Sequence, residues 1–132
     1  MKWQKKGLIK LPNLGQTWSM THAMVPTPIL LGEKIRVFVN FCDENRIARV
    51  GYVDLLASDP SQVLAYSKNP ILDIGEPGTF DQDGVLQCSI IQESPTKLLM
   101  YYVGFEVENK IRYRLLSGLA ISEDGGESFK RI

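Results

Sequence analysis

The sequence of 132 residues contains a single histidine, His22, and only two cysteines, Cys42 and Cys88. Two distant cysteines do not make a disulfide scaffold, and no cysteine or histidine spacing is typical of a zinc site. We therefore expect no metal and no other cofactor, and free thiols of the kind that cytoplasmic proteins keep. The longest apolar run, residues 98–105, is too short to cross a bilayer, and no apolar signal-peptide core follows the first residues.

An excess of charge of either sign is also absent. Lysine and arginine together number 15, as do aspartate and glutamate, so the formal net charge is zero. A neutral chain has no general attraction for phosphate backbones or anionic lipid, which argues against a nucleic-acid partner. The hydrophobic fraction of 44% and the charged fraction of 23% are ordinary for one folded domain.

Most of the chain has the composition of β-strands. Runs rich in β-branched and aromatic residues are separated by polar stretches and by proline and glycine. The clearest predicted strands are Lys34–Phe41, Ala48–Leu55, Leu98–Phe105 and Leu115–Ser122. No amphipathic stretch of helical period is long enough to change the class, so we expect an all-β fold.

The strands form an internal repeat. Pro28–Leu30 is similar to Ser89–Ile91 at an offset of 61 residues, Ile35–Phe41 is similar to Leu99–Phe105 at 64, and Gly51–Val53 is similar to Gly118–Ile121 at 67. Units of about four short strands at this spacing are typical of β-propeller blades. We predict blades of four antiparallel strands, about two of them, incomplete as a single-chain ring. A chance similarity between strands of a sandwich is the alternative.

The repeat divides the chain into three parts. Residues 1–24 are expected to hold an N-terminal strand, Trp3–Leu11, and a loop, residues 25–74 a first blade, and residues 75–132 a second blade. Within the second blade, Ser122–Phe129 fits the Asp-box pattern S-x-D-x-G-x-S/T followed by an aromatic residue. In such a turn Asp124 accepts hydrogen bonds from backbone N–H groups, which is a structural role.

Several segments together resemble the five-bladed β-propeller proteins of the glycoside hydrolase 43/32-like superfamily, which includes arabinanases, xylosidases and invertases. The likeness is greatest to a bacterial subgroup associated with surface-polysaccharide biosynthesis, and it covers nearly the whole chain in order. The stretches that carry it are His22–Pro26, Lys34–Phe38, Tyr52–Leu55, Asn69–Leu72, Gly75–Val85, Met100–Phe105 and Gly118–Gly126.

The resemblance implies a sugar site at the propeller axis. Glycosidases of this superfamily use two carboxylates that flank the sugar bond, and a further aspartate often orients the acid. Where the first carboxylate is expected, this sequence has Val25, with His22 nearby, and Asp81 or Asp83 fits the place of the orienting aspartate. The acid, a glutamate of the third blade, would lie beyond Ile132. The chain is therefore expected to carry at most one member of the usual triad.

Blade topology selects the loops that would surround the sugar. They are Asn13–His22, Phe41–Arg46, Asn69–Asp83 and Phe105–Arg112, and the Asp-box turn is expected at the opposite end. The candidate catalytic residues on these loops are His22, Asp81 and Asp83; the candidate substrate-binding residues are Trp18, Arg46 and Arg49. Each has a structural alternative: a hydrogen bond to a loop carbonyl for His22, turn chemistry for the aspartates, core packing for the tryptophan, and a solvated or salt-bridged surface for the arginines.

Two functions remain open at this point. The first is a glycan-handling protein related to propeller glycosidases, with hydrolysis or transfer at an axial site. The second is a non-catalytic carbohydrate-binding or assembly module, or a fragment of a longer propeller enzyme. The expected partners are a carbohydrate or sugar conjugate and, because about two blades do not close a ring, further copies of the chain or the remainder of a longer propeller.

Overall fold

The structure is a computed structural model that describes residues 2–11 and 15–132. A 3-10 turn at Thr17–Ser19 precedes eight strands. The strands are β1 (Thr21–Leu31), β2 (Lys34–Cys42), β3 (Ala48–Leu56), β4 (Asp59–Tyr66), β5 (Val85–Gln92), β6 (Leu98–Val107), β7 (Tyr113–Ser122) and β8 (Lys130–Arg131). The described residues contain no α-helix, so the predicted all-β class is confirmed.

The strands form two four-stranded sheets. The first has the order β1-β2-β3-β4 and the second β5-β6-β7-β8, and every pairing between neighbouring strands is antiparallel. Each sheet is thus a simple meander, and neither closes into a barrel among the described strands. Two consecutive four-stranded meanders are the arrangement expected of two propeller-like blades.

Alternation along the strands divides the side chains of the first sheet between two faces. Phe38 in β2, with Val50 and Tyr52 in β3, packs against the second sheet, and we call this side the front face. Val39 and Phe41 point the other way, onto the back face. Val53 and Leu55 are buried on the same back face. Six partly buried apolar side chains pack around them: Leu11, Trp18, Ile35, Val37, Val63 and Tyr66.

The second sheet presents its own back face to the first. Leu98, Met100, Tyr102 and Ala120 are at most 2% exposed and complete the core between the sheets. The intervening residues of β6 and β7, among them Tyr101, point away and form the front face of the second sheet. The main core therefore lies between the front face of the first sheet and the back face of the second sheet.

The structure corrects the repeat by one residue. Val39 lies opposite Gly51 on the back face of the first sheet, and Tyr102 lies opposite Gly118 on the back face of the second. Equivalent residues of β2 and β6 therefore differ by 63 positions, not by the predicted 64. The offset of 67 between β3 and β7 is unchanged. β6 is almost continuously apolar, and the polar residues Arg36 and Asn40 of β2 lie on its buried front face, so alternation did not indicate the correct register.

The N-terminal strand expected at Trp3–Leu11 is not formed. Residues 2–11 have no strand, and Gly7 has a positive φ of 104°. A strand needs a sheet edge that supplies hydrogen bonds to it, and this segment lies across the first sheet without pairing. The first sheet also begins at Thr21, four residues before the expected start of the first blade.

The connection between β7 and β8 is a turn ordered by Asp124. The Oδ1 atom of Asp124 accepts hydrogen bonds from the backbone N–H groups of Glu127, at 3.0 Å, and Ser128, at 3.1 Å. The Ser122 hydroxyl donates to the same oxygen at 2.6 Å. The two bonds from backbone N–H groups are those expected of Asp124 from the sequence, and the bond from Ser122 was not predicted. Gly125 N–H donates to Thr96 O at 2.7 Å, so this turn lies beside the β5–β6 hairpin.

Candidate functional site

Three loops meet at the end of the sheets opposite the Asp124 turn. They are residues 15–20 before β1, residues 43–47 between β2 and β3, and residues 67–84 between the two sheets. They overlap three of the four loops that the sequence predicted to surround a ligand, and the fourth predicted loop, Phe105–Arg112, contains the connection between β6 and β7. Asn13, in the first predicted loop, lies outside the described residues. No helix long and apolar enough to cross a membrane occurs in the described chain.

Asp43 orders the loop between β2 and β3. Its Oδ1 atom accepts hydrogen bonds from the backbone N–H groups of Asn45 and Ile47, both at 2.9 Å. Arg46 N–H donates to Asp43 O at 3.1 Å, and Arg46 has a φ of 65°, in the left-handed region. A non-glycine residue in that region is held there by its surroundings. The Arg46 side chain is exposed, whereas Asp43 is fixed within the turn.

Arg49 joins this loop to the connection between the sheets. Its Nη1 atom donates to Asp43 Oδ2 at 2.8 Å, and its Nε atom donates to Asp73 Oδ1 at 2.7 Å. Burial alone would raise the pKa of Asp43, but the Arg49 guanidinium and the backbone bonds lower it. Burial likewise disfavours the charged form of Arg49, and its two carboxylate partners outweigh that effect and raise its pKa. Asp43 and Arg49 are therefore both charged at neutral pH.

Trp18 is half-buried beside this ion-paired group. Its ring meets Phe41 edge-on, with the centroids 5.6 Å apart, and its Nε1–H donates to Lys68 O at 3.0 Å. Gly51 allows the approach, because a Cβ atom there would lie 2.6 Å from Cη2 of the indole. The tryptophan is therefore held by packing on one side and by a hydrogen bond at its polar edge.

Trp18, Arg49 and the two aspartates line one open cleft of about 360 Å³. The other lining residues are Thr17, Glu44, Asn45 and Pro70. Small-molecule sites are concave and place a few polar groups among mostly apolar walls; this cleft has one aromatic ring and fixed polar groups, and most of its lining residues are polar. With Asp43, Glu44 and Asp73 against one guanidinium, the cleft has an excess of negative charge.

Asp81 lies apart from the cleft, in the core of the second sheet. It is 1% exposed, and its carboxylate accepts hydrogen bonds from Arg131 Nε at 2.7 Å, Tyr102 Oη at 3.0 Å and Thr79 Oγ1 at 2.9 Å. Burial would raise its pKa, but the bonds from Arg131 and Thr79 lower it. Arg131 also donates to Asp73 O. These contacts favour a structural role for Asp81 over the predicted catalytic one.

His22 and Asp83 lie at the same end of the sheets. Thr21 pairs with Cys42 and Cys42 with Ala48, and a Cβ atom on Gly84 would lie 3.6 Å from Ala48 N. Thr21 and Gly84 are therefore linked through Cys42 and Ala48 at one end of the sheets, and His22 and Asp83, the residues beside them in the chain, lie at that end too. Asp83 Oδ2 accepts a hydrogen bond from Val107 N–H at 2.8 Å.

The start of β1, where His22 lies, has an unusual backbone. His22 has a φ of 59° and Val25 a φ of 50°, and the β1–β2 register shifts between Thr21 and Thr27. Left-handed geometry is uncommon for histidine and rare for a β-branched valine. Gln87 of β5 holds the segment by donating to Val25 O. The His22 ring is exposed, with Nδ1 2.9 Å from Thr21 Oγ1.

Of the six residues predicted for the site, the structure brings Trp18 and Arg49 into one cleft, with Arg46 in the loop beside it. Sequence reasoning missed Asp43 and Asp73, although both lie on loops that it selected. The signal available was their position on those loops together with Arg49. Among the described residues, no group of three or more histidine, cysteine, aspartate or glutamate side chains could hold a metal ion.

The fold is that of two propeller-like blades with a polar cleft, containing one indole, at one end, and known proteins share this fold. A glycosyl hydrolase from Bacteroides ovatus superposes with a TM-score of 0.64 at 18% sequence identity, over 86% of this chain and 32% of that one. This likeness concerns the fold alone.

Two curated relatives are similar in sequence, the uncharacterized proteins MT1551 and Rv1502 of two Mycobacterium tuberculosis strains. Each is 32% identical over 126 residues, which is 95% of this chain and 42% of the relative. The chain thus spans less than half the length of these relatives. No known family profile matches the sequence.

Proposed function

We propose that the protein binds a carbohydrate or a sugar conjugate in the cleft of Trp18, Asp43, Arg49 and Asp73. The observation that carries the proposal is the placement of a half-buried indole beside a guanidinium held by two carboxylates. An indole offers an apolar surface to the C–H groups of a sugar ring, and fixed charged groups exchange hydrogen bonds with its hydroxyls. The shared scaffold with a glycosyl hydrolase supports this ligand class.

Binding without hydrolysis fits the electrostatics better than catalysis does. A glycosidase needs one carboxyl group whose pKa is raised, so that it can protonate the leaving group. The pKa values of Asp43 and Asp81 are displaced downward, because the hydrogen bonds and ion pairs outweigh burial. The place where the resemblance expects the base is occupied by Val25. We therefore propose a carbohydrate-binding module that has kept a glycosidase-like scaffold.

Glycosyl hydrolysis or transfer is the second candidate. The observation in its favour is that His22 and Asp83 lie at the same end as the cleft, where an imidazole and a carboxylate are available for proton transfer. The remaining carboxylates would come from other blades, supplied by further copies of the chain or by the rest of a longer propeller.

An exposed unpaired Cys88 is compatible with a reducing cytoplasm, which we propose as the location.

Calorimetric titration with a panel of mono- and oligosaccharides tests the binding site. We expect Asp73→Asn to weaken binding of the best ligand by about tenfold or more, since it removes a charged acceptor whose side chain is 59% exposed in the cleft. Asp59→Asn is the matched control, because Asp59 is an exposed aspartate at the start of β4, at the other end of the sheet. Equal losses in both variants, or no saccharide binding by the wild type, would contradict the proposal.

A panel of aryl glycosides separates the two candidates. The binding proposal expects no release of the aryl group by the wild type at any pH. Turnover by the wild type that Asp83→Asn abolishes would replace it with the glycosidase candidate. The same variant should leave saccharide affinity unchanged if the cleft alone holds the ligand, because Asp83 is not among its lining residues.

A further inference from the structure

The front face of the second sheet is apolar and uncovered. Ile91 is 46% exposed, Tyr101 45% and Leu115 56%, all on the side away from the first sheet. The same side carries Leu86, Leu99, Val103, Leu119 and Ile121, which are only partly buried. An apolar face of this extent on a sheet usually marks an association surface.

The equivalent positions of the first sheet show how this face differs. There the front face carries the buried residues Arg36, Asn40 and Asp54. Arg36 and Asn40 take polar partners from the second half of the chain, Glu127 and the carbonyl of Val85, and Asp54 pairs with Arg36 itself. At the positions equivalent to these three, the second sheet has Leu99, Val103 and Ile121. The uncovered face therefore needs only an apolar cover and no specific ion pair.

An apolar face that could cover it, the back face of the first sheet, lies on the other side of the molecule. The back face of the first sheet is the repeat equivalent of the back face of the second, which already packs on a front face within the chain. It carries Val37, Val39, Val53 and Leu55. An apolar cleft of about 140 Å³ remains open on it, lined also by Ala23 and Pro26.

The back face is covered within the chain, since Val39, Val53 and Leu55 are at most 5% exposed and Leu11 packs on them, so a second copy would have to displace the segment before β1. That segment is itself weakly held. Residues 2–10 are exposed, and the side chains of Trp3 and Leu8 are each 93% exposed. Only Ile9 and Leu11 of the segment line the cleft. A segment with so few buried contacts exchanges readily for a larger apolar surface.

We propose that a second copy of the chain docks the back face of its first sheet onto the front face of the second sheet, head to tail. The contact continues the packing of the two sheets within the chain, with the same kinds of face in the same order. The formal net charge of zero means that no overall repulsion opposes it. Such a heterologous contact closes into a ring of two or three copies. The inference does not depend on saccharide binding.

Complementation between two variants tests the head-to-tail contact. Tyr101→Arg blocks the front face and Ala23→Arg blocks the back face, and both replace exposed side chains, so both variants are expected to fold. Light scattering after size exclusion should give two or three times 14.9 kDa for the wild type and one times that mass for each variant. The mixture of the two variants should regain a dimer, because one intact front face and one intact back face remain. Ile111→Arg, at an exposed loop residue, is the control and should keep the wild-type mass.

The outcomes are distinct. A wild type that stays monomeric at high concentration, whether it unfolds cooperatively or not, overturns the proposal and favours cover by the rest of a longer chain. Monomeric variants that do not associate on mixing point to a face packed on its own copy, which also overturns it. If either variant loses its cooperative thermal transition, hydrogen exchange of the wild type decides. If the protection of the backbone amides of β6 and β7 against exchange does not change on dilution, the contact is contradicted. If that protection falls on dilution, the contact is supported.

Discussion

The guanidinium of Arg36 in the first sheet donates a hydrogen bond at 2.5 Å to the carboxylate of Glu127, in the turn between β7 and β8 of the second sheet. Arg36 is 1% exposed and is bonded at the same time to both oxygens of Asp54, at 2.8 Å each. The ring of Tyr52 lies 3.6 Å below its guanidinium carbon, and the Tyr52 hydroxyl donates to Glu127 at 2.6 Å. One buried cation thus joins the two sheets.

Replacing Arg36 should destabilise the fold strongly. In Arg36→Met the methionine fills part of the volume, but Asp54 remains as a buried carboxylate paired only with Lys34. Breaking a buried ion pair from one side costs about 3–5 kcal/mol, because the remaining charge is uncompensated. Urea unfolding followed by circular dichroism measures the loss.

A surface ion pair gives the matched control for that measurement. Arg114 is bonded to Glu106 at 2.6 Å with its own side chain 51% exposed. Arg114→Met should therefore change the free energy of unfolding by less than about 1 kcal/mol. If the two methionine variants lose equal stability, the Arg36 network is not what holds the sheets together.

The Asp124 turn should make stability depend on pH in the acidic range. Burial alone would raise the pKa of Asp124, but hydrogen bonds from Ser122, Ser128 and the backbone lower it from 3.8 to about 2. Because the pKa is lower in the folded state, these bonds contribute fully above about pH 4 and are lost as the pH falls towards 2. Asp124 is exposed, so solvent screening limits the contribution to about 1 kcal/mol.

Comparison with Asp124→Asn isolates that contribution. The variant should be less stable than the wild type at pH 6, and the two free energies of unfolding should converge as the pH is lowered to about 2. Other carboxylates with lowered pKa values, such as Asp54, are present in both proteins and cancel in the difference. A difference that stays constant over this range would show that the Asp124 charge does not stabilise the turn.

The strands were predictable, but the faces of some were not. Lys34–Phe41 and Leu98–Phe105 were predicted within a few residues because their composition is strongly β-forming. Leu98–Phe105 is almost continuously apolar, and in Lys34–Phe41 the polar residues Arg36 and Asn40 lie on the buried face, so the sequence could not show which side chains face the neighbouring sheet. The repeat was therefore aligned one residue out of register. The expected strand at Trp3–Leu11 failed for another reason: strand formation depends on a free edge that local sequence does not reveal.

The site was predictable at the level of loops and not of contacts. Blade topology selected the loops that carry Asp43 and Asp73, but nothing local indicates that both reach Arg49. The same holds for Asp81, whose partner Arg131 lies 50 residues along the chain. Interactions at such separations are set by the packing of the two sheets, which propensity and spacing do not encode.

Gly51 should control the position of Trp18. In Gly51→Ala the new methyl group would lie 2.6 Å from the indole and 2.7 Å from Ser67 Oγ, so the ring must move out into solvent. We expect a loss of stability of about 1–3 kcal/mol from overpacking and a red shift of tryptophan fluorescence. The measurement uses a Trp3→Phe background, because Trp3 is the other tryptophan and is already 93% exposed. Saccharide affinity should fall with the red shift; unchanged affinity would remove Trp18 from the binding surface.

Asp81 and Asp83 provide a matched pair that separates structure from function. Asp81→Asn removes the charge that pairs with Arg131, inside the core of the second sheet. Its pKa is lowered in the folded protein, because the bonds from Arg131 and Thr79 outweigh burial, so the stabilisation is present at neutral pH and is lost in acid.

We expect Asp81→Asn to lower the free energy of unfolding by about 1–3 kcal/mol at pH 7, the cost of weakening a buried charge-assisted hydrogen bond, and to leave saccharide affinity unchanged. Asp83→Asn keeps an oxygen that can accept the Val107 N–H bond, so its stability should change by less than about 1 kcal/mol. Thermal unfolding and calorimetric titration of the two variants measure both quantities. If Asp81→Asn unfolds like the wild type but abolishes binding or turnover, then the buried carboxylate belongs to the functional site and the structural role argued from its three hydrogen bonds is wrong.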